Sequence, residues 1–365
     1  MSNPVLIFAQ SYPHVKNVLY LLEKYKNTSP YIKLCVFNNS YLFKYFSLLN
    51  QEHFNNQINL SFIPKYVPVG GGSHKRNLII FEKYFLYSSF NIHCGNIVGH
   101  EIFFFSQSFT DYGYYFLKKL YRKNNVTHIQ DPGCDIYTIT DGAPKSLRSF
   151  LNLFRMKLIV GRHIVYGDTG YAKFNRFLKI CDSFYDKIVD RAIGKKERDE
   201  LQKDVLLTKY SFKKYSKYKI LYFDKDVVKD GFCDNDHFQS TIEEIFSVAS
   251  EYTPSDQIGR KYKPNRTNDL NRNRVRIGEI IPDHIPAEML YNDNVKVYIG
   301  ITSIALANVE TDNVISIVHL IPFHSSISMS GSIQNQERRR KNNIIQYPKT
   351  IAEFRSLLDD IFTAV

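Results

Sequence analysis

The stretch that decides the fold lies near the amino end, where residues 5–37 read VLIFAQSYPHVKNVLYLLEKYKNTSPYIKLCVF. Val5 to Ala9 form a short apolar run, which the polar segment Gln10 to His14 interrupts. Val15 to Tyr25 then carry apolar residues at helical spacing, and Ile32 to Phe37 are again apolar and rich in β-formers. This order of strand, loop, helix and strand predicts the opening of a Rossmann-like α/β unit.

Along the rest of the chain, apolar segments of strand length alternate with segments of helical spacing. We predict further strands at Leu78 to Phe81, Ile102 to Phe105, Thr127 to Gln130, Ile136 to Ile139, Ile220 to Phe223, Ile277 to Ile281, Val295 to Ile299 and Val314 to Leu320. We predict helices at Tyr114 to Arg122, Thr241 to Ser250, Pro286 to Leu290, Ser303 to Asn308 and Ile351 to Ile361. Such regular alternation is typical of the α/β class.

One segment interrupts this pattern. From Lys195 to Lys219 the sequence is highly charged and has no apolar periodicity, which predicts the crossing between two domains. A length of 365 residues also favours two domains over one. We therefore predict an N-terminal domain at 1–205, a C-terminal domain at 206–345, and a helix at 346–365 that could cross back to the first domain.

Composition narrows the choice of partners and compartment. The formal net charge of +12 attracts anions, so nucleic acid, an anionic membrane and a sugar nucleotide all remain open. The five cysteines are odd in number and form no CxxC pair, which argues against a disulfide framework or a zinc ribbon. No leader peptide or membrane-spanning run is recognised. We expect a cytoplasmic chain, at most peripheral at the inner membrane.

Four short segments carry the functional argument: TDG at 140–142, KYKP at 261–264, IPDHIPAEML from Ile281 and YIGITSIALAN from Tyr298. In this order they resemble motifs of the bacterial lipooligosaccharide sialyltransferases and the related capsular polysialyltransferases. Those families carry an acidic pair followed by Gly, then a His-Pro, then a Ser-Ser/Thr pair in an IG-x-x-S-T-A-L context. The resemblance is clearest from Arg260 to about His324; in the first half only the Asp-Gly turn and the opening strand match.

The sequence also departs from the motifs of these families. Thr140 stands where the first acid of the pair belongs, and Lys263-Pro264 stand in place of the His-Pro. The serine of the last motif is followed by isoleucine, as Ser303-Ile304, and Thr302 lies on its other side.

The resemblance implies two Rossmann-like domains facing a cleft, the GT-B arrangement. It also implies inverting transfer of a sialic-acid-like, nonulosonic sugar from a CMP donor to a hydroxyl of a bacterial surface glycan, either capsule or lipooligosaccharide. Neither a metal nor another cofactor is expected. Asp141 would be the general base that deprotonates the acceptor hydroxyl, and Lys263 would neutralise the leaving phosphate. The simpler interpretation of Asp141 is an acid that stabilises a turn or caps a helix. The simpler interpretation of Lys263 is a residue of a solvated basic loop.

On the donor side, the resemblance and the local chemistry select residues of turns and helix starts. Glycine lets the chain turn and leaves room for the sugar, hydroxyls at a helix start hold phosphate, and a carboxylate accepts bonds from ribose hydroxyls. The donor candidates are Gly142, Lys261, Pro264, Pro286, Glu288, Thr302 and Ser303. Each also has a purely structural interpretation, such as an ordinary helix cap for Ser303 and a first-turn acid for Glu288.

On the acceptor side, the loop after the first strand should face the ligand, because α/β sheets bind ligands at the carboxyl ends of their strands. Ser11, Tyr12 and His14 are the candidates there. The basic, amphipathic stretch from Ser146 to His163 suits either contact with an anionic membrane, which would fit a lipid-linked acceptor, or packing in the core.

Three alternatives remain open. The first is a GT-B enzyme that uses a UDP- or GDP-sugar in polysaccharide synthesis. The second is a non-catalytic nucleic-acid-binding protein, suggested by the basic run Arg260 to Arg276 and disfavoured by the α/β pattern. The third is a catalytically inactive scaffold. The main DxD pattern, of the kind that many sugar-nucleotide enzymes use to hold a divalent ion, is Asp224-Lys225-Asp226 after a predicted strand. It gives a metal site only weak support.

Overall fold

A computed structural model of the chain carries side chains and shows two α/β units. The described residues are 3–64, 78–105, 115–116, 119–120, 123–129, 165–166, 177–179, 209–225, 227–228, 230–262, 275–307, 309, 311–325, 327–339 and 343–363.

The chain divides into two compact units, Met1–Leu206 and Leu207–Val365. The point of division lies within the charged stretch from Lys195 to Lys219. Among the helices of the described part, none is both long enough and apolar enough to cross a membrane.

The first unit contains a five-stranded parallel sheet in the order β3-β2-β1-β4-β5. Its strands are β1 (Val5–Ala9), β2 (Ile32–Phe37), β3 (Asn59–Ile63), β4 (Glu101–Phe105) and β5 (Asn125–Ile129), and its helices are α1 (Val15–Tyr25), α2 (Ser40–His53) and α3 (Leu78–Cys94). Two short strands, β6 (Val165–Tyr166) and β7 (Phe177–Lys179), form a separate antiparallel pair.

The core of the first unit is aromatic. Phe8, at the centre of β1, is fully buried, and its ring stacks on Phe37 with centroids 5.2 Å apart. Phe104 and Phe116 contact the same ring at 5.2 and 6.2 Å. Tilted and edge-on contacts of this kind stabilise beyond the area they bury, so β1 is anchored from both of its neighbours in the sheet.

The second unit contains a six-stranded parallel sheet in the order β10-β9-β8-β11-β12-β13. Its strands are β8 (Ile220–Phe223), β9 (Ile258–Lys261), β10 (Glu279–Ile281), β11 (Val297–Gly300), β12 (Val314–Ser316) and β13 (Ile345–Gln346). Its helices are α4 (Asn235–Ala249), α5 (Ile304–Ala307), α6 (Ser330–Arg339) and α7 (Ile351–Thr363).

Both sheets have the strand order of the Rossmann fold. Counted from the first strand of each unit, the first sheet runs 3-2-1-4-5 and the second runs 3-2-1-4-5-6. The prediction of two Rossmann-like α/β units is therefore confirmed. That the units face each other across a cleft stays a prediction.

Several element predictions were wrong or incomplete. Leu78 to Phe81 begin helix α3 and are not a strand, because periodicity cannot distinguish a short, wholly apolar run from the start of a buried helix. Pro286 to Leu290 form only a 3-10 turn, Ala287–Leu290. The predicted strand at Ile136 to Ile139 lies outside the described residues.

The C-terminal helix α7 packs into the core of the second unit. Phe354 and Leu358 are fully buried there, and Ile361 lies beside them. Tyr252 ties the helix to the chain after α4, because its hydroxyl donates to the Asp359 carboxylate at 2.7 Å. The helix thus belongs to the second unit, whereas the sequence had left a crossing to the first domain open.

Candidate functional site

The topology of the second sheet locates its ligand edge. From β8 the chain adds β9 and β10 on one side and then returns to place β11 on the other side of β8. Parallel α/β sheets bind ligands at such a reversal, outside the carboxyl ends of the two strands. The loops that begin there are Asp224–Lys225 after β8 and 301–303 after β11.

A lysine and a threonine join these two loops. The Lys225 ammonium donates to the Thr302 hydroxyl at 2.7 Å, and Thr302 is buried. An ammonium is a compact positive charge with three donors, and a hydroxyl that accepts one bond can donate another. This pair is therefore suited to bind a phosphate oxygen at the reversal point.

The end of β11 can be occupied only by a very small residue. A Cβ on Gly300 would lie 2.7 Å from the backbone oxygen of Phe223 and 3.1 Å from a Leu306 methyl. The first atom belongs to the backbone of β8 and cannot move aside easily. Gly300 thus allows β8, β11 and helix α5 to converge at the ligand edge.

Ser303 caps the one-turn helix α5. Its hydroxyl accepts from the backbone N–H of Ala305 at 3.2 Å, and its backbone oxygen accepts from the Gln336 side chain at 3.2 Å. Below this loop, the fully buried Ser316 hydroxyl donates to the backbone oxygen of Ile301. The simpler interpretation of Ser303, an N-cap, is therefore observed, and contact with a ligand stays a prediction.

Lys261 supports the neighbouring loop. Its side chain is buried, and its ammonium donates to the backbone oxygens of Pro282 and Asp283 at 3.0 and 3.1 Å. The Lys261 backbone oxygen also accepts from the N–H of Asp224 at 2.9 Å. Lys261 thus links the ends of β8, β9 and β10, and its ammonium orients the loop that follows β10.

That loop carries Pro286 and Glu288. Pro286 is buried in extended conformation, and Glu288 is half-buried in the first turn of the short helix Ala287–Leu290. Met289 and Leu290 anchor this helix in the protein interior. The segment 286–290, which follows the carboxyl end of β10, is thus held in place. That Glu288 contacts a ribose stays a prediction.

The acid after β8 has a protein partner. The Tyr222 hydroxyl donates to the Asp224 carboxylate at 3.0 Å, and burial, followed by the nearby Asp224 charge, raises the pKa of Tyr222 well above its ordinary value. Asp226 lies outside the described residues. Within the residues the structure does describe, no three metal-ligating side chains come together.

The first unit has a corresponding loop at its own reversal, between β1 and β4. Tyr12–His14 form a 3-10 helix, and Ser11 and Tyr12 are half-buried. His14 is fully buried, and its Nδ1 accepts from the backbone N–H of Gln10 at 3.1 Å. The imidazole thus holds the loop in place, and contact with an acceptor stays a prediction for all three candidates.

Four of the sequence-predicted site residues, namely Asp141, Gly142, Lys263 and Pro264, lie outside the described residues, as does the basic stretch from Ser146 to His163. The described candidates of the second unit, Lys261, Pro286, Glu288, Thr302 and Ser303, all lie in or beside loops at the carboxyl edge of one sheet.

Sequence reasoning gave Lys225 no role at the donor site, because it considered this residue only as the middle of a DxD pattern. The signal that could have found it was its position directly after the first strand of a Rossmann-like unit. That strand borders the reversal point in this topology.

No protein-family model matches the chain, and no curated protein matches it at a significant level. The sialyltransferase resemblance therefore rests on its motifs alone. Solved structures show a distant likeness. A UDP-GlcNAc 2-epimerase from Neisseria meningitidis, bound to UDP-GlcNAc, is 12% identical over 99% of this chain and 92% of its own, with a TM-score of 0.38.

Two further solved structures are similar at the same distance. Another UDP-N-acetylglucosamine 2-epimerase is 11% identical over 100% of this chain and 88% of its own, with a TM-score of 0.42. The Arabidopsis thaliana protein UGT89C1, complexed with UDP-L-rhamnose, is 10% identical over 99% and 90%, with a TM-score of 0.39. Each of the three proteins is named for a UDP-sugar or was solved with one, and none is named as a sialyltransferase.

Proposed function

We propose that this chain is a glycosyltransferase whose second unit binds the nucleotide of a sugar-nucleotide donor. The observation that carries the proposal is the Lys225–Thr302 pair, which spans the reversal point between β8 and β11 at 2.7 Å. A positive charge and a buried hydroxyl at this edge suit an anionic, phosphate-bearing ligand. The net charge of +12 favours the approach of such a ligand.

The surrounding residues support a fixed site. Gly300 permits the close approach of two strands and a helix, and Ser316 and Gln336 hold the 301–303 loop by hydrogen bonds to its backbone. Lys261 fixes the adjacent loop through two backbone carbonyls. A preorganised group of donors binds a charged ligand with little ordering cost on association.

In the proposed reaction, the oxygen of an acceptor hydroxyl attacks the anomeric carbon of the donor sugar. The bond between that carbon and the phosphate oxygen breaks, the nucleotide leaves with the electron pair, and the hydroxyl proton passes to the Asp141 carboxylate. Lys225, Thr302 and Lys263 would compensate the negative charge on the departing nucleotide. Inversion at the anomeric carbon follows from a single displacement.

Two donor classes fit this scheme. The motif order from Arg260 to His324 favours a CMP-activated nonulosonic sugar, with a surface glycan as acceptor. A UDP-sugar is the alternative; the distantly similar solved structures are two UDP-N-acetylglucosamine 2-epimerases and a protein complexed with UDP-L-rhamnose. A donor panel of CMP-nonulosonates and UDP-sugars, with nucleotide release followed with and without EDTA, separates them.

The binding part of the proposal is tested by calorimetric titration of CMP and UDP into the wild type and into Lys225→Met. Loss of a charge-assisted bond to phosphate should weaken the preferred nucleotide by about ten- to a hundredfold. Lys213→Met is the matched control, because Lys213 is exposed and precedes the amino end of β8. Unchanged affinity in Lys225→Met, or no binding of either nucleotide to the wild type, contradicts the proposal.

The catalytic part needs a separate test. Asp141→Asn should reduce sugar transfer to acceptor by about a hundredfold or more, while nucleotide affinity stays within twofold or so of the wild type. If the protein is an inactive scaffold, neither the wild type nor Asp141→Asn should transfer sugar. The glycan made by cells that carry Asp141→Asn should then be unchanged.

A further inference from the structure

Helix α3 is apolar on both of its faces. Its inner face contributes Leu86 to the core of the first unit, where Phe85 and Phe90 pack beside it. Phe90 contacts the ring of Phe116 edge-on at 5.4 Å. This face alone anchors the helix to the sheet. A surface helix normally turns charged and polar residues outward, whereas α3 exposes four large hydrophobic side chains beside Lys83 and Asn91.

The outer face of α3 is largely aromatic and aliphatic, with the exposed Asn91 among its apolar side chains. The exposed fractions are 59% for Phe81, 70% for Tyr84, 53% for Tyr87 and 73% for Ile92. Of the eight large hydrophobic residues exposed in the described part of the chain, these four lie on this one helix. At about 100° per residue they fall within one half of the helix surface. We call Phe81, Tyr84, Tyr87 and Ile92 the α3 patch.

The exposed charge within the stretch that holds the α3 patch is positive. In the stretch 81–92, all of which the structure describes, Lys83 is exposed and the single carboxylate, Glu82, is buried. If a second copy covered the patch through a twofold axis, the same face would meet itself. Lys83 would then find no exposed acid on the opposing stretch. An anionic lipid surface supplies the missing negative charge.

We propose that the α3 patch docks the protein on the surface of an anionic membrane. Tyrosine and phenylalanine rings suit the boundary between headgroups and acyl chains, since a phenol stays hydrated while its ring is buried. Ile92 and Phe81 enter the apolar layer, and Lys83 contacts the headgroup phosphates. The helix lies in the plane of the interface and does not cross it. This docking does not depend on the nucleotide site of the second unit.

The test is flotation of the full chain with lipid vesicles. Vesicles of phosphatidylcholine mixed with phosphatidylglycerol should carry the wild type upward, and vesicles of phosphatidylcholine alone should carry less of it. The double variant Phe81→Ser, Ile92→Ser should bind the anionic vesicles at least about tenfold more weakly. Lys83→Gln should lower binding only to the anionic vesicles, by several-fold or so.

The matched control is Ile344→Ser, because Ile344 is an isoleucine of the second unit that is also well exposed, at 58%. It should float like the wild type. Circular dichroism melting should show that the double variant stays folded, because both changed residues are exposed. The proposal would be overturned if the wild type did not float with the anionic vesicles, or if the double variant floated as much as the wild type. So would light scattering that shows a dimer lost only in the double variant, since the patch would then bind a second copy.

Discussion

The loops at the reversal points of the two sheets differ in chemistry although the strands are wound alike. In the first unit, groups without a full charge hold the loop after β1. The His14 Nδ1 accepts from the backbone N–H of Gln10, and the Asn39 side-chain amide donates to the backbone oxygen of Gln10 at 3.2 Å. In the second unit, the ammonium groups of Lys225 and Lys261 hold the corresponding loops. The same topology thus places positive charge at the second edge, which is the basis for our proposal that an anionic nucleotide binds there.

The strongest test of this comparison is His14→Ala. Removing a fully buried imidazole leaves a cavity and takes away the Nδ1 acceptor of the Gln10 N–H. The free energy of unfolding of the first unit should fall by about 2–4 kcal/mol, read from hydrogen exchange of the β1 amides. Nucleotide affinity of the second unit should not change.

His100→Ala is the control for this variant. His100 is only half-buried, and its ring bonds to the nearby Val98 carbonyl at 3.0 Å. Its removal should cost less than about 1 kcal/mol. If His14→Ala were as mild as His100→Ala, the view that a buried imidazole holds the first loop would fail.

The next effect in size is expected from Gly300→Ala in the second unit. The added methyl meets the Phe223 backbone oxygen at 2.7 Å, so β8 and β11 must separate. We expect a loss of about 1–3 kcal/mol in the unfolding of this unit, measured by denaturant titration, together with weaker nucleotide binding.

Gly331→Ala is the matched control, because a methyl there meets nothing within 4 Å and the residue lies in helix α6. It should be neutral or stabilise by up to about 1 kcal/mol. An equal loss in both variants would show that contact with β8 is not the cause.

The smallest effect concerns pH and the first unit. Burial lowers the pKa of His53 and of His93 below the ordinary 6.5, and for His93 the charge of Lys33 lowers it further. The unfolded chain therefore takes up protons first as pH falls, so stability is complete above 6.5 and declines below it.

Because both rings are partly solvated, the decline should stay below about 1 kcal/mol. The free energy of opening in the first unit, taken from amide exchange after correction for the pH dependence of the intrinsic exchange rate, should fall slightly between neutral and acidic pH. The double variant His53→Gln, His93→Gln should flatten that response. A steeper loss of stability in the double variant would contradict a lowered pKa for His53 and His93.

The sequence predicted the architecture well where patterns are local. Val15 to Tyr25 was located to the residue, because five of its apolar side chains face one core. Helix α3 was missed, since its apolar residues on both faces leave no helical periodicity to read. Neither α2 nor β3 was predicted, and β9 was obscured by the charged Arg260 and Lys261, both buried at its end.

The candidate site was predictable only in part, for a similar reason. Thr302 and Ser303 follow a strand that the pattern had located, so their edge was known in advance. The bond from Lys225 to Thr302 joins residues 77 positions apart. Likewise, the ammonium of Lys261 points to carbonyls 21 and 22 residues away. Such pairings depend on strand order, which no local pattern of the sequence specifies.

The position of helix α7 has a genetic consequence. A stop codon just before Ile351 would spare every residue of the proposed site, and the product would still contain all thirteen strands that the structure describes. It would nevertheless lack Phe354, Leu358 and Ile361, and the apolar side chains of α4 and the core that pack against α7 would be exposed to water. Alleles truncated before this helix should therefore behave as nulls through degradation of the protein, although the codons of the proposed site are intact.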